Sequence, residues 1–279
     1  MTSHEPAAPG SDTAGKTEPP PFDTSVAHQA RVYDYFLGGK DNYAADRAAA
    51  EASLKVNPDL APSAYANRAF LGRAIGYLAA EAGIRQFLDI GTGIPTAGNT
   101  HQVAQAIAPE SRVVYVDYDP IVLAHARALL TSTDAGATEY IDADLRDTQV
   151  ILGQAARLLD FTKPVAVTLI SILHAIPDDD DPHAIVATLL DAVPSGSYLG
   201  ISHMGSDLMS AETLREMTAV WKRTSQQQYT PRSRDQVARF FTGLDLVEPG
   251  LARVEQWRPE PETDVAHRSI MWSAVGRKA

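Results

Sequence analysis

The chain contains no cysteine. Disulfides, thiolate metal sites and cysteine nucleophiles are therefore excluded. No apolar run approaches the ~18 residues that a membrane helix requires. The opening, Met1-Thr-Ser-His-Glu-Pro6, lacks a basic-then-apolar signal, so a soluble cytoplasmic protein is expected. Basic charge is scarce: 24 Lys and Arg stand against 35 Asp and Glu, a net charge of −11. Long-range attraction to nucleic acid needs a basic surface, so a nucleic-acid partner is not expected. Arg232, Arg234 and Arg239 lie close together but read as a solvated helix face.

The chain does have enough apolar residue for a large core. Its 279 residues are 44% hydrophobic, which suits one large domain with a cap, or two small domains. Residues 1–22 are rich in Pro, Ala, Gly, Ser and Thr and are expected to be disordered. Residues 23–82 predict an N-terminal helical cap. An aromatic-rich turn begins at Ala30, Gly38-Gly39 breaks it, and helices follow over Ala44 to Leu54 and about Pro62 to Ala82. Gly83 suits the cap of the third helix. From residue 83 to 279, strands and helices alternate, with no internal repeat. That order predicts an α/β fold: a Rossmann-like doubly wound sheet, mostly parallel, with an antiparallel edge built from the last strands (244–247, 251–256 and 269–275).

The stretch Gln86-Phe-Leu-Asp-Ile-Gly-Thr-Gly93 organises the rest. Phe87 to Ile90 reads as a strand buried on both faces, running into a glycine turn. Gly91 and Gly93 let the backbone turn sharply and approach a ligand, as at the ligand crevice of open α/β sheets. A dinucleotide fingerprint would carry a third glycine where Thr96 stands, preceded here by Pro95. Asp89 beside the turn would repel a pyrophosphate. It suits an ammonium and a sulfonium, and S-adenosylmethionine (SAM) carries both without a phosphate.

Later strand ends add to the pattern. Asp117 closes Val113-Val-Tyr-Val-Asp117, where a carboxylate can accept hydrogen bonds from ribose hydroxyls. Asp119 fits the alternative role of helix N-cap better. In Tyr140-Ile-Asp-Ala-Asp-Leu145, Asp144 can accept from an adenine amino group, with Ala143 or Leu145 against the ring, while Asp142 reads as a turn residue. Thr92 in the turn, Tyr118 after Asp117 and Ser171 after the fourth strand complete the expected cofactor contacts. His174, leaving that strand, can take a proton from a nucleophile or serve a structural role. His203, after the fifth strand, has similar placement. Asp178 to Asp181 cannot all converge on one ion and read as a helix N-terminus, so no metal is expected.

Taken together, Asp89-Ile-Gly-Thr-Gly93, Asp117, Asp144 and Leu173-His174 resemble, in order, the motifs of class I SAM-dependent methyltransferases. The chain is more closely similar to a family known only as S-adenosyl methyltransferase, formerly a domain of unknown function. Ala30 to Tyr35, Leu37-Gly-Gly-Lys-Asp-Asn-Tyr43, Ala45-Asp-Arg47, Asn67-Arg-Ala-Phe70, Gly91 to Thr96 and Asn99-Thr-His101 carry that resemblance. It implies a seven-stranded sheet, SAM as cofactor and an unspecified acceptor. Gly38, Gly39, Lys40, Asn42 and Tyr43 are then expected to form a lid over the crevice. Tyr33, Tyr43 and Arg68 are expected near the methionine end, Arg68 pairing with its carboxylate. Tyr33, Tyr35 and Phe36 also suit helix packing, and Arg68 a surface ion pair. His203 is grouped with the substrate residues.

The expected reaction is methyl transfer to a small, partly apolar acceptor. A non-catalytic SAM-binding sensor and an NAD(P)-dependent oxidoreductase are the competing classes. A homodimer is left open.

Overall fold

The computed structural model describes the backbone of residues 23–129, 132–225, 228–260 and 268–279, and their side chains except those of 126–129. The expected tail, 1–22, and the expected helix end at Leu130 lie outside the described residues.

Helices α1 (Gln29–Phe36), α2 (Ala44–Val56) and α3 (Leu60–Ala80) precede the sheet. Then come β1 (Gln86–Ile90), α4 (Thr100–Ile107), β2 (Arg112–Asp117), α5 (Pro120–Leu129), β3 (Ala137–Asp142) and α6 (Thr148–Ala155). They are followed by β4 (Ala166–Ile170), α7 (Pro182–Asp191), β5 (Tyr198–Met204), α8 (Ala211–Thr224) and α9 (Arg234–Ala238). Strands β6 (Leu244–Leu246), β7 (Ala252–Arg253) and β8 (Met271–Lys278) end the chain.

The strand order is β3-β2-β1-β4-β5-β8-β6, with β7 also paired to β8. The five strands β1 to β5 pair parallel, and β8 runs antiparallel to β5 and β6. The expected doubly wound sheet with an antiparallel edge is present. The eighth strand is the two-residue β7. The expected strand over 251–256 is a correction: after Arg253 the chain turns into a 3₁₀ turn, Val254–Gln256, which tucks Val254 and Trp257 under α3.

Each strand divides its side chains between two cores, because successive residues point to opposite faces. Leu88, Ile90, Val114 and Val116 face one core with Ile151, Ile185, Leu189 and Phe240. Phe87, Val113 and Tyr115 face the other with Phe70, Ile75, Leu78, Met217 and Trp257. The second core includes α3, so α3 is a layer of the sheet domain. Only α1 and α2 form a cap proper, and α2 rests against α8. The reason is the apolar stripe Phe70, Leu71, Ala74, Ile75 and Leu78 at helical spacing, all buried. Among the described residues no helix is long and apolar enough to cross a membrane.

Candidate functional site

The carboxyl ends of β1, β2 and β4 open into a cleft of about 670 Å³, counted with its open mouth. β1 ends there because Gly91 adopts φ +75°, and its N–H bonds to Val116 O at 2.8 Å. A Cβ at Gly91 would stand 2.5 Å from Ile172 Cγ1, so only glycine fits. Gly93 follows at φ +65° and donates its N–H to Asp117 Oδ2 at 2.9 Å. The other oxygen of Asp117 accepts Asp119 N at 3.0 Å. The end of β2 and the glycine turn are thus tied together. Thr92 hydroxyl lies 2.6 Å from Tyr140 hydroxyl, which anchors the middle of the turn on β3.

Asp89 lies on the sheet face under α3 and is 6% exposed. It accepts Thr100 Oγ1 at 2.6 Å and Thr168 Oγ1 at 2.8 Å. Burial raises its pKa above the usual carboxylate value, against the pull of both hydroxyls. Burial likewise raises that of Asp117. No cation lies within 4 Å of Asp89 among the described residues. Two buried carboxylates on one cleft favour a cationic ligand, which would offset their desolvation.

Tyr118 and Ser171 also line this cleft. Ser171 holds φ +60°, a strained value for a side chain with a Cβ; such values cluster at ligand sites. Its N–H lies 3.0 Å from both Ser202 O and Ser202 Oγ, which fixes the bend. Asp144 and Leu145 line an adjoining pocket of about 430 Å³ that shares Gly91, Asp117, Tyr118 and Ile172 with the cleft. Arg146 clasps Asp144 through Nε at 2.8 Å and Nη2 at 2.6 Å and holds its pKa down. Arg146 also reaches Asp180 at 3.0 Å.

Helices α1 and α3 supply the opposite wall. Tyr33 and Arg68 line the cleft. Tyr33 hydroxyl donates to Ala64 O at 3.1 Å and accepts Asn67 Nδ2 at 2.9 Å, so burial on α3 fixes it. Among the described residues Arg68 makes no ion pair with an acid. Its Nη2 donates to Ala97 O at 3.1 Å and Gly98 O at 3.2 Å.

The expected lid residues are placed differently. Gly38, Gly39, Lys40, Asn42 and Tyr43 line none of these cavities. The turn winds around the Asp34 carboxylate, which accepts Asp41 N at 2.9 Å and Asn42 Nδ2 at 2.8 Å. A Cβ at Gly39 would overlap that carboxylate, at 2.0 Å from Asp34 Oδ1. Tyr43 packs toward Ile94 and Ile121 beyond the glycine turn. The polar composition of this turn therefore serves an internal anion.

A further feature is not legible in the sequence. Beside the cleft lies a second chamber of about 720 Å³, walled by Phe36, Trp221, Tyr229, Met204, Met271 and Ile270. His28, Gln29, Tyr33 and Ser171 line both spaces. His174 lines only the chamber. It is 3% exposed and stacks on Tyr229 at 5.9 Å, and its Nδ1 has no partner among the described residues. Burial, helped by the Arg232 charge, lowers its pKa to about 3. His203 lines none of these cavities. It is fully buried, its Nδ1 2.9 Å from Met204 O and its Nε2 3.0 Å from Arg232 Nη1. Arginine only donates, so Nε2 accepts and Nδ1 carries the hydrogen.

Arg232 itself corrects the sequence reading. It is 2% exposed and grips Leu173 O, Ile176 O, Asp178 and His203. It clamps the segment after β4 that carries His174. Asp181 caps α7, accepting Ala184 N at 3.1 Å. Among the described residues no acidic or histidine cluster suits a metal.

A family profile described as S-adenosyl methyltransferase matches residues 15–279. The chain belongs to the S-adenosyl methyltransferase family. A DUF574 family protein of Streptomyces avermitilis is 45% identical, over 92% of this chain and 99% of that one, with a TM-score of 0.88. A proposed methyltransferase of Thermobifida fusca is 38% identical, over 95% and 99%, with a TM-score of 0.84. Comparison with curated proteins gives no match. SAM is the cofactor of this family and methyl transfer its reaction, and both hold for this chain. The dinucleotide alternative is thereby set aside. The cleft fits that cofactor on its own chemistry: a glycine turn with no room for a Cβ at Gly91, and two buried carboxylates facing a molecule that carries two positive centres.

Proposed function

We propose that SAM lies across the cleft with its adenosine toward Asp144 and its methionine toward Arg68, and that a small, largely apolar molecule receives the methyl group in the adjoining chamber. In this reading Asp117 holds the ribose hydroxyls, with Gly91, Thr92 and Gly93 beneath and Tyr118 alongside. The Asp144–Leu145 pocket takes the adenine. Asp89 faces the ammonium, and Arg68 faces the methionine carboxylate. Tyr33 and Ser171 close the sides.

The observation that carries the reading is the shared wall. One set of residues, His28, Gln29, Tyr33 and Ser171, borders both spaces, so a cofactor in the cleft and an acceptor in the chamber would lie side by side. The cofactor supplies an electrophilic methyl on sulfur with a neutral leaving group. The chain's task is alignment and exclusion of water. Phe36, Trp221 and Tyr229 offer flat apolar walls that suit a ring-bearing acceptor. His174 stays neutral across the physiological range and serves as part of the chamber wall beside Tyr229; a group of such low basicity retains a proton poorly. The acidic surface supports a metabolite acceptor over a nucleic acid, and the composition supports a cytoplasmic setting.

Titration calorimetry tests the seat. The wild-type chain binds SAM, and Asp117→Ala weakens that binding at least tenfold while the fold persists by circular dichroism. Normal affinity in Asp117→Ala would refute the seat. A screen of ring-bearing metabolites with methyl-labelled SAM tests the chamber, and labelled products lost on Trp221→Ala would support it.

A further inference from the structure

The pocket of about 430 Å³ beside the cleft has mostly apolar walls, among them Ala143, Leu145, Ile172, Ala175 and Ile176. Its polar residues fall into two groups. Asp117 and Tyr118 are shared with the cleft, whereas Asp144 and Arg146 line this pocket alone. The loop that carries Asp144 is fixed by its own backbone. Ala143 N donates to Asp117 O at 3.2 Å, and Asp147 N donates to Asp144 O at 2.9 Å.

An ionised carboxylate offers about four lone-pair sites, two on each oxygen. Asp144 Oδ1 accepts Arg146 N at 2.9 Å and Arg146 Nε at 2.8 Å, which fills it. Asp144 Oδ2 accepts Arg146 Nη2 at 2.6 Å. One site on Oδ2 is left over among the described residues. The Asp144 side chain is 24% exposed, so a molecule in the pocket has access to it. Its hydrogen bonds to Arg146 hold its pKa down, so it remains a pure acceptor at physiological pH. Arg146 is anchored on its far side as well. Its Nη1 donates to Asp180 Oδ2 at 3.0 Å, on the 3₁₀ turn Asp178–Asp180 after β4. A planar fork held at both ends has little freedom to turn. Such half-exposed ion pairs add little stability. What the guanidinium fixes is direction: it ties the loop after β3 to the segment after β4 and sets which lone pair of Asp144 stays open.

Resting on the cofactor seat proposed above, we propose that Arg146 is a positioning residue for the cofactor: it orients Asp144 so that a single acceptor meets the group on C6 of the purine, and the chain thereby selects adenosyl over inosyl compounds. The apolar walls take the flat ring and carry no preference between the two bases. The choice falls to the one open site. A 6-amino group donates to it. A 6-oxo group sets an acceptor against an anionic acceptor, and a site built to receive an N–H rejects a ligand that lacks it there. Without Arg146 the Asp144 carboxylate turns freely and is solvated by water, so it meets amine and carbonyl with less discrimination.

Titration calorimetry on the full chain compares S-adenosylhomocysteine with its 6-oxo analogue, S-inosylhomocysteine. The wild-type chain binds the adenosyl compound about tenfold more tightly or better, the scale of one charge-assisted hydrogen bond. Arg146→Ala brings the two ligands within about threefold of each other, chiefly by weakening the adenosyl compound. Arg146→Lys keeps the charge but not the fork, and its ratio stays near that of Arg146→Ala. The Arg146 side chain is 53% exposed, so both variants keep the far-UV circular dichroism of the wild type. A residue that served stability alone would weaken both ligands by one factor and leave their ratio intact. Two results overturn the proposal: no preference in the wild-type chain, or a wild-type preference that survives Arg146→Ala. In the second case Asp144→Ala separates the causes. Loss of the preference there leaves the adenine seat standing and removes only the role of Arg146. If the preference survives Asp144→Ala too, or if the wild-type chain does not bind S-adenosylhomocysteine, the seat itself fails and this proposal falls with it.

Discussion

Arg232→Ala offers a quantitative check on how the segment after β4 is held. The guanidinium donates from Nη1 to Leu173 O at 2.9 Å and to His203 Nε2 at 3.0 Å. From Nη2 it donates to Ile176 O at 2.9 Å and to Asp178 Oδ1 at 2.6 Å. The Asp178 side chain is 69% exposed, so solvent screens that pair and it adds little. The cost comes from the buried acceptors. Removing the side chain strips Ile176 O and His203 Nε2 of this donor, while Leu173 O keeps a longer bond from Ile176 N at 3.2 Å. Each stranded buried acceptor costs about 1–3 kcal/mol. The vacated space adds a cavity unless water enters and relieves the acceptors. The net is about 3–5 kcal/mol, against a whole-domain stability of ~5–15 kcal/mol. For a chain of this size that lowers the melting temperature by ~6–20 °C. Urea denaturation followed by far-UV circular dichroism measures it, with Arg232→Lys expected to recover part of the loss. A shift below about 1 kcal/mol would show that the four contacts do not hold the segment, and the placement of His174 would lose its support.

The remaining perturbations probe the cleft and its charges. Gly91→Ala places a methyl 2.5 Å from Ile172 at φ +75°, so calorimetry should show SAM affinity down at least tenfold with about 1–3 kcal/mol lost in urea; Gly98→Ala, at φ +76° with open space, should show only the backbone strain. Asp89→Asn keeps one acceptor, the amide oxygen, for the Thr100 or Thr168 hydroxyl and presents an N–H donor to the other, while it removes a buried carboxylate. Because its folded pKa is raised, the carboxyl stabilises below its unfolded pKa and loses that contribution as pH rises through the folded value, so at neutral pH Asp89→Asn should be as stable as wild type or more so while binding SAM several-fold more weakly. His174 behaves oppositely, with a folded pKa of about 3 below the model-peptide 6.5: stability is complete above the unfolded value and falls as pH drops below it. Between pH 7 and 5 His174 alone should remove about 2 kcal/mol, and His203, also shifted down, adds to it. A urea midpoint that stays flat over that range, or an equal slope in His174→Phe, would contradict the burial argument.

What the chain reveals by pattern is what its local physics dictates. Phe87 to Ile90 announces a strand because alternate residues must serve two cores, and Gly91 announces the turn because no side chain fits against Ile172. Asp117 is legible for the same reason: a carboxylate ending an apolar strand has few roles other than gripping what lies beyond it. Arg232 is not legible. Its neighbours are polar, and its burial comes from carbonyls about 55–60 positions earlier in the chain. The Gly38–Tyr43 turn misleads in the other direction. Its glycines look made for a ligand, yet they make room for the carboxylate of Asp34, an anion within the fold. Even α3 reads as cap until Phe70 and Ile75 are seen against Phe87 and Trp257.

The chamber proposed for the acceptor shows why site residues escape a reading by motif. Its walls come from positions as far apart as His28 and Met271, contributed by α1, α2, α3, α8, β5 and the approach to β8. No spacing rule connects them, because the enclosure exists only once α2 has packed on α8 and α1 has bridged to Ser171. The cofactor side needs a few fixed atoms for one invariant molecule, so a strand and its turn encode it compactly. The chamber is defined by volume, and three polar atoms of its lining residues are left unpaired. His28 Nε2, Gln29 Oε1 and His174 Nδ1 are that remainder, and a buried polar atom without a partner is unfavourable in an empty enzyme. They mark where the packing of α1 and of the segment after β4 is least complete, and no motif in the chain points to them.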